Sequence, residues 1–206
     1  MDPEIRLRPF KEQVAYFIEN NYGRGSSLWM GNTPPCLRML GLPELPLRMT
    51  AGVLLKIYTG KNGEREGVPQ GTIARLPELL DEPMAIFASS TKAGALVVLT
   101  TASNNSGVIV ASLDASCRDG NTEVNMVTSA YSKGRNAWIA EQVAAGRLMY
   151  ADEEKGFNTL EVSGHTLNCE AEPSSRNPSE RKILLPDDLR NYRTELRNKK
   201  LGPLSP

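Results

Sequence analysis

The chain has 206 residues, a length that fits one good-sized domain with short extensions. Its 24 basic and 24 acidic residues cancel to a formal net charge of zero, which argues against strong nonspecific attraction to nucleic acid. The three cysteines are far apart and form no CxxC pair, so their pattern supports neither a zinc site nor a disulfide framework. No segment resembles a secretory signal or a membrane span, and we expect a soluble protein of a reducing compartment, the cytoplasm.

The first part of the chain predicts helices separated by two short extended segments. An amphipathic helix is expected over residues 3–20, a short strand over residues 26–31 and an extended segment over residues 45–50. Thr33 is the expected N-cap of a short helix that ends near a glycine, and Thr50 is the expected N-cap of a second helix.

A polar loop, residues 59–68, follows the second helix. A further helix is expected over residues 70–80 with a break or kink at Pro77, because proline lacks the amide proton that a helix interior uses. Four β-rich runs come next, joined by short loops that contain Gly, Asn and Asp, which is typical of an antiparallel meander. The runs are residues 83–90, 95–102, 107–115 and 122–131.

After the meander, the pattern predicts a helix over residues 135–146 and a last strand over residues 147–152. The expected fold class is therefore α+β, with N-terminal helices packed on one face of a four- to five-stranded antiparallel sheet. We assign residues 1–160 to a single domain, residues 161–186 to a linker or arm rich in Ser, Pro, Asn and Glu, and residues 187–206 to a C-terminal helix and tail. The last helix either packs on the domain or offers its basic faces to an acidic partner.

The last strand of the predicted meander has an unusually polar face. In the segment NMVTSAYSKG, strand alternation places Asn125, Ser129, Tyr131 and Lys133 on one face together with Val127. This face is either an ordinary solvent-facing surface or one that binds a ligand and acts on it.

Several segments, taken in order, resemble one known family. They are SSLWMGNTPPCLRMLGLPELPLRMTAGVLLKI, RLPELLDEPMAIFAS, GALVVLT, GVIVASLD, EVNMVTSAYSKG, WIAEQVAAGRLMYADEEKGFNTL and ILLPDDLRNYR. The series resembles the C-terminal domain of phage MuF-type proteins, which is also found in prophage-encoded and polymorphic toxin-like proteins. The resemblance covers most of the chain, above all residues 26–160.

The resemblance implies the fold shared by barnase, EndoU, colicin and RelE-type ribonucleases, in which helices precede a four-stranded antiparallel sheet. It also implies a metal-independent ribonuclease without a cofactor, with RNA and an acidic immunity or antitoxin protein as partners. Two other functions stay open, a noncatalytic interaction module of a phage or secretion-system protein and, less favoured, a nucleotide-dependent transferase on a similar scaffold. Fold alone does not decide among them.

RNA cleavage without a metal needs a base for the ribose 2′-hydroxyl, an acid for the leaving 5′-oxygen and cations for the phosphate. Arginine and lysine supply the cations, serine and tyrosine donate hydrogen bonds, and tyrosine is able to act as the acid. The candidate catalytic residues are Arg48, Ser129 and Tyr131. The candidate substrate-binding residues are Lys56, Lys133, Arg135 and Asn125.

Each candidate also has an ordinary structural interpretation. Arg48 would form an ion pair with an acid such as Glu44 or Glu78, and Lys56 would be a solvated helix residue. The remaining candidates would be packing residues of a strand face, or loop and helix-start charges: Ser129, Tyr131, Lys133 and Arg135.

The only histidine, His165, falls in the irregular arm, where we expect no catalytic role. The resemblance implies a histidine in the loop after the second helix, and residues 59–68 contain none. Either Glu64 or Glu66 would then serve as the base, or the domain is inactive, which would favour the interaction module.

Overall fold

The computed structural model describes residues 7–20, 25–61, 66–155, 157 and 183–201. Within these residues the helices are α1 (Phe10–Asn20), α2 (Pro35–Met39), α3 (Ala51–Thr59), α4 (Gln70–Ala74), α5 (Leu76–Asp81), α6 (Arg135–Ala144) and α7 (Pro186–Leu201). The strands are β1 (Ser27–Asn32), β2 (Pro46–Thr50), β3 (Ala85–Ala88), β4 (Leu96–Asn104), β5 (Gly107–Asp119), β6 (Thr122–Lys133) and β7 (Leu148–Ala151). This composition confirms the α+β class.

The two threonines expected to begin helices behave differently. The Thr50 hydroxyl accepts a hydrogen bond from the Val53 amide (3.2 Å), so Thr50 caps α3 as predicted. The prediction for Thr33 is wrong, because Pro34 stands at the N-cap of α2 and makes no side-chain capping bond. The Thr33 hydroxyl donates instead to the Leu45 carbonyl (2.7 Å), which holds two loop segments together.

The helix predicted over residues 70–80 is interrupted, as expected from its proline. It forms α4 and α5 with Arg75 between them, and Pro77 occupies the first turn of α5, where a missing amide proton costs nothing.

The described strands form one seven-stranded sheet in the order β1-β2-β6-β5-β4-β3-β7. The predicted meander is confirmed as β3 to β6, with antiparallel neighbours. The prediction of four to five antiparallel strands is corrected in two respects: β1 and β2 extend the sheet, and β2 lies parallel to β6 over residues 47–49. Pairing between segments about 80 residues apart leaves no mark in local periodicity, which is why the sequence did not reveal it.

Helices pack on both faces of the sheet, and not on one face only. We call the face covered by α1 to α5 and α7 the first face; its core includes Leu28, Met49, Ile109 and Val127. The opposite, second face packs against α6 through Phe87, Val110 and Leu148, among others. The described sheet is thus buried on one face and partly covered on the other.

Helix α7 packs on the first-face side of the domain. Leu189 is buried, and the Arg193 guanidinium donates to the Asp81 carbonyl at the end of α5 (2.9 Å). Residues 161–182, which are most of the expected arm, lie outside the described residues, so the division of the chain into domain and arm stays a prediction.

Candidate functional site

A cleft of about 350 Å³ lies between α3, the residues after it, and β6. The cleft forms because β2 pairs with β6 only at residues 125–127 of β6. At the next residues of β6, its edge lies beside α3 instead. The cleft lining combines ammonium, carboxylate and hydroxyl groups with apolar surface: Val53, Lys56, Ile57, Gly60, Lys61, Glu66, Thr128, Ser129, Ala130 and Tyr131.

The α3 side of the cleft supplies its charges. Lys56 lies exposed in the last turn of α3, and Lys61 follows the helix closely. Glu66 returns to the same cleft and accepts a hydrogen bond from the Ser106 hydroxyl (2.9 Å) in the turn between β4 and β5. Among the described residues, two cations and one carboxylate therefore border a space that also contains strand hydroxyls.

Close backbone packing holds the returning loop against α3. The Val68 amide donates to the Ile57 carbonyl (2.9 Å), which brings the chain back along the helix. At Gly67 an added Cβ would lie 2.0 Å from the Tyr58 carbonyl oxygen, so this approach needs a residue without a side chain. The position of Glu66 thus depends on the glycine beside it.

A β-bulge in β6 decides which side chains reach this region. Val127 pairs with Leu113 and Ser129 pairs with Ser112, so Thr128 is an extra residue without a partner of its own. Because side chains alternate along a strand, the extra residue switches the faces on which the later side chains lie.

Ser129, Tyr131 and Lys133 accordingly share the second face. Tyr131 and Lys133 stand opposite residues whose side chains belong to the second-face core. Asn125 and Val127 lie on the first face, so the common face expected from simple alternation is wrong, and the bulge is the reason. The bulge therefore leaves Ser129, Tyr131 and Lys133 together on the second face and separates them from Asn125 and Val127.

Lys133 is placed by aromatic rings. Its ammonium nitrogen lies 6.0 Å from the ring centroid of Tyr131 and 5.9 Å from that of Trp138 in α6. The cation is therefore held next to Tyr131, at the end of β6.

Arg48 lies apart from the cleft. Its Nη1 donates to Asp119 Oδ2 (2.6 Å) and, at 3.4 Å, to the Ser27 hydroxyl. The ion pair expected as the ordinary interpretation is present, with Asp119 as its partner. The acids first considered pair elsewhere, Glu44 with Arg38 and Glu78 with Arg75.

Asn125 is fully buried and holds three backbone segments together. Its amide nitrogen donates to the Thr33 hydroxyl (2.6 Å) and the Pro43 carbonyl (2.9 Å), and its oxygen accepts from the Ser116 amide (3.1 Å). Both hydrogens of the amide nitrogen and the amide oxygen are therefore engaged in bonds within the fold.

Residues 59–158 match the profile of a family described as the phage MuF-C-terminal domain. The chain contains a phage MuF C-terminal domain. No curated protein and no solved structure matches the chain.

The matched MuF segment starts at the end of α3 and includes β3 to β7 with α4, α5 and α6. Lys61, Glu66 and the β6 residues of the cleft belong to it, whereas Lys56 precedes it. The cleft therefore lies at the seam between the MuF domain and the N-terminal segment that adds β1 and β2 to its sheet.

Three residues named from the sequence are not described at the side-chain level. Arg135 begins α6, but its side chain lies outside the described part of the chain. Glu64 and His165 fall wholly outside the described residues. Among the residues that are described, no group of three or more His, Cys, Asp or Glu side chains is placed to hold a metal ion, and no helix has the length and apolarity to cross a membrane.

Sequence reasoning missed Lys61 as a cleft residue and treated Glu66 only as a substitute base. The sequence offered one signal for both: they flank the glycine-rich loop directly after a capped helix, and such a loop must turn back near that helix. Trp29 was missed as a surface feature of the sheet because β1 was not expected to join it.

Proposed function

We propose that the MuF C-terminal domain of this chain is a phage- or prophage-derived, toxin-like endoribonuclease that cleaves RNA without a metal through a 2′,3′-cyclic phosphate. One observation carries the proposal: the α3–β6 cleft brings Lys56, Lys61 and Glu66 opposite the hydroxyls of Ser129 and Tyr131. A base, an acid and two cations are the groups that this reaction requires.

In the proposed reaction the Glu66 carboxylate accepts the proton of the ribose 2′-hydroxyl. The 2′-oxygen forms a bond to phosphorus while the bond from phosphorus to the 5′-oxygen breaks, and Tyr131 gives its proton to the leaving 5′-oxygen. Lys56 and Lys61 stabilise the charge that develops on the phosphate, and Ser129 donates a hydrogen bond to it. The products are a 2′,3′-cyclic phosphate and a 5′-hydroxyl.

Arg48, a candidate catalytic residue from the sequence, has no place in this reaction because its guanidinium is paired outside the cleft. Lys133 is assigned to binding a neighbouring phosphate, since it lies beside Tyr131. Arg135, which follows at the start of α6, keeps its proposed role in substrate binding.

RNA as substrate places the action of the protein in the cytoplasm of the producing or target cell. A partner protein that covers Lys56 and Lys61 with acidic side chains would block the cleft, which supports the proposed acidic immunity or antitoxin partner.

A noncatalytic interaction module is the second candidate function. Two observations favour this alternative: residues 59–68 contain no histidine, and the net charge of the chain is zero. In that case the same cleft would bind a protein segment and perform no chemistry.

The test is cleavage of total RNA by the full chain in the presence of a chelator. We expect the wild type to produce fragments ending in a 2′,3′-cyclic phosphate. Glu66→Gln and Tyr131→Phe should each lower the rate by about 10²- to 10⁴-fold, and Lys56→Ala by about 10²-fold. Lys11→Ala, an exposed position of α1, is the matched control and should keep the wild-type rate.

RNA left intact by excess wild-type protein would overturn the ribonuclease in favour of the interaction module. Cleavage that none of the three cleft substitutions changes would retain the activity and remove it from this cleft.

A further inference from the structure

The edge of the sheet formed by β1 and β2 presents a large aromatic side chain to solvent. Trp29 is 46% exposed, and it stands directly opposite Arg48, which in turn stands opposite Met126 of β6. The neighbours of Trp29 and Arg48 along their strands, such as Leu28 and Met49, belong to the first-face core. Trp29 and Arg48 therefore lie on the second face, the face of Ser129, Tyr131 and Lys133.

This part of the second face lies beside the α6 packing and not under it. Among the described residues, the core beneath α6 draws on β3 to β7 and includes no residue of β1 or β2. Between Trp29 at one end and Tyr131 at the other, the surface includes Ser112 and Ser129, which pair with each other.

The distance between the two aromatic side chains suits a short single strand of nucleic acid. Two strand spacings separate Trp29 from Met126 by about 10 Å, and Tyr131 lies further along β6, so the aromatic residues are about 15–20 Å apart. The first and last bases of a pentanucleotide are about 14 Å apart at the stacked spacing and further apart where the single strand is extended, so five nucleotides bridge the two rings.

Among the residues that the structure describes, the acids on this face are paired with cations. Asp119 binds Arg48, and Asp114 binds the Lys92 ammonium (2.5 Å). Lys133 adds a further positive charge, so three described cations stand against two described acids on this face. Arg48 makes its described contacts through Nη1 alone, which leaves its Nη2 hydrogens for a ligand.

The outer edge of β1 is closed at Trp29, which argues against an added protein strand there. The buried Gln13 side chain accepts from the Trp29 amide (3.1 Å) and donates to the Trp29 carbonyl (3.2 Å), as a neighbouring strand would. A ligand of Trp29 must therefore approach the indole ring on the sheet face and not the backbone edge.

We propose that this second-face surface binds unpaired nucleotides that flank the scissile phosphate, with one base stacked on the Trp29 indole and a phosphate held by Arg48. The inference rests on the proposed ribonuclease, for which it supplies a binding subsite. Base stacking on an exposed aromatic ring is tolerant of sequence, so the subsite selects single-stranded over duplex RNA and not one base over another.

The test measures binding of a fluorescein-labelled, fully 2′-O-methylated pentanucleotide by fluorescence anisotropy at low salt. This probe lacks the 2′-hydroxyl nucleophile, so binding is separated from cleavage. Trp29→Ala should raise the Kd about five- to hundredfold, whereas Trp29→Phe should retain most of the affinity because it keeps a ring. Tyr58→Ala, which removes another exposed aromatic ring outside the cleft lining, should leave the Kd unchanged.

The outcomes separate the subsite from the ribonuclease. Absence of binding by the wild type, or equal Kd values for wild type and Trp29→Ala, overturns the subsite even if RNA is cleaved. Binding that depends on Trp29, without any RNA cleavage, supports the subsite and overturns the ribonuclease. If Trp29→Phe and Trp29→Ala lose the same affinity, the loss comes from a change in the fold of β1. That result also overturns base stacking.

Discussion

Arg48 of β2 and Asp119 at the end of β5 form an ion pair with 2.6 Å between Nη1 and Oδ2. The pair joins the β1–β2 extension to the far end of the meander hairpin, and Ser27 of β1 donates to the same carboxylate oxygen (2.5 Å). About a quarter of each charged side chain is exposed, 26% for Arg48 and 24% for Asp119. Solvent therefore screens the pair only in part.

The first prediction concerns the strength of this pair. In a double-mutant cycle with Arg48→Ala and Asp119→Ala, we expect a coupling free energy of about 1 kcal/mol, measured by urea unfolding. The same cycle on Lys92 and Asp114 should give a smaller coupling, because Lys92 is 58% exposed. A coupling near zero for the first pair would mean that strand pairing and core packing attach the extension without a contribution from the ion pair.

The second prediction concerns the close approach at Gly67. Gly67→Ala forces a Cβ to within 2.0 Å of the Tyr58 carbonyl oxygen, so the backbone must move. We expect the free energy of unfolding to fall by about 1–3 kcal/mol. Gly52→Ala, inside α3, has no atom within 4 Å of the added Cβ and should stabilise the protein by about 0.5 kcal/mol. Thermal melting of both variants checks these two expectations. An unchanged melting temperature for Gly67→Ala would contradict the close approach of Gly67 to the Tyr58 carbonyl.

The third prediction concerns the buried amide of Asn125. Asn125→Ala leaves the buried Thr33 hydroxyl, the part-buried Pro43 carbonyl and the Ser116 amide without the partner they have now, and we expect a loss of about 2–4 kcal/mol in the free energy of unfolding. Thr128→Ala on the same strand is the matched control, because its exposed hydroxyl makes one long bond to the Ser112 carbonyl (3.3 Å); it should cost less than about 0.5 kcal/mol. Equal losses in the two variants, measured by urea unfolding, would rule out a structural role for the amide.

The fourth prediction concerns pH and the buried thiol of Cys36. Burial, aided by the negative charge of Asp81, raises the pKa of Cys36 from 9.0 to about 12. The stabilising effect of the neutral thiol is complete below pH 9 and is lost as the pH rises towards 12, because the unfolded chain releases this proton first. From pH 8 to pH 10 the wild type should lose about 1 kcal/mol more stability than Cys36→Ala does.

Parallel unfolding curves at pH 8 and pH 10 check this prediction, and the comparison of slopes is independent of the packing lost in Cys36→Ala. Burial and the nearby Asp152 charge also raise the pKa of Tyr150 above the ordinary 10.0, so the unfolded chain begins to release that proton near pH 10. Wild type and Cys36→Ala share Tyr150, so its contribution cancels in the comparison. Equal pH dependence in wild type and variant would mean that the folded protein allows Cys36 to ionise.

Local patterns in the sequence were sufficient for most elements. Alternation and turn residues identified the four meander strands, the Thr50 hydroxyl identified the start of α3, and Pro77 marked the break between α4 and α5. Each of these features depends on neighbours within a few residues, so each is visible in the sequence. The family of the MuF segment was likewise recognisable from its ordered motifs.

The candidate site was only partly accessible in this way. The sequence singled out Lys56, Ser129 and Tyr131, which the cleft brings together, but it also grouped Asn125 with them. The single extra residue Thr128 moves Asn125 to the other face, and a bulge depends on the pairing register with β5. Register is a property of two strands, and one strand alone does not reveal it.

By itself, then, the sequence determined the α+β class, the central meander and a polar stretch at the end of β6. Tertiary structure decided what that stretch faces. The bulge places Ser129, Tyr131 and Lys133 on the second face, and α3 forms a cleft beside Ser129 and Tyr131. The parallel pairing of β2 with β6 adds Arg48 and Trp29 to the same face. The division follows from distance along the chain. Helix caps and strand alternation are set by neighbouring residues, whereas the register and the order of strands are set by contacts between segments that only folding brings together.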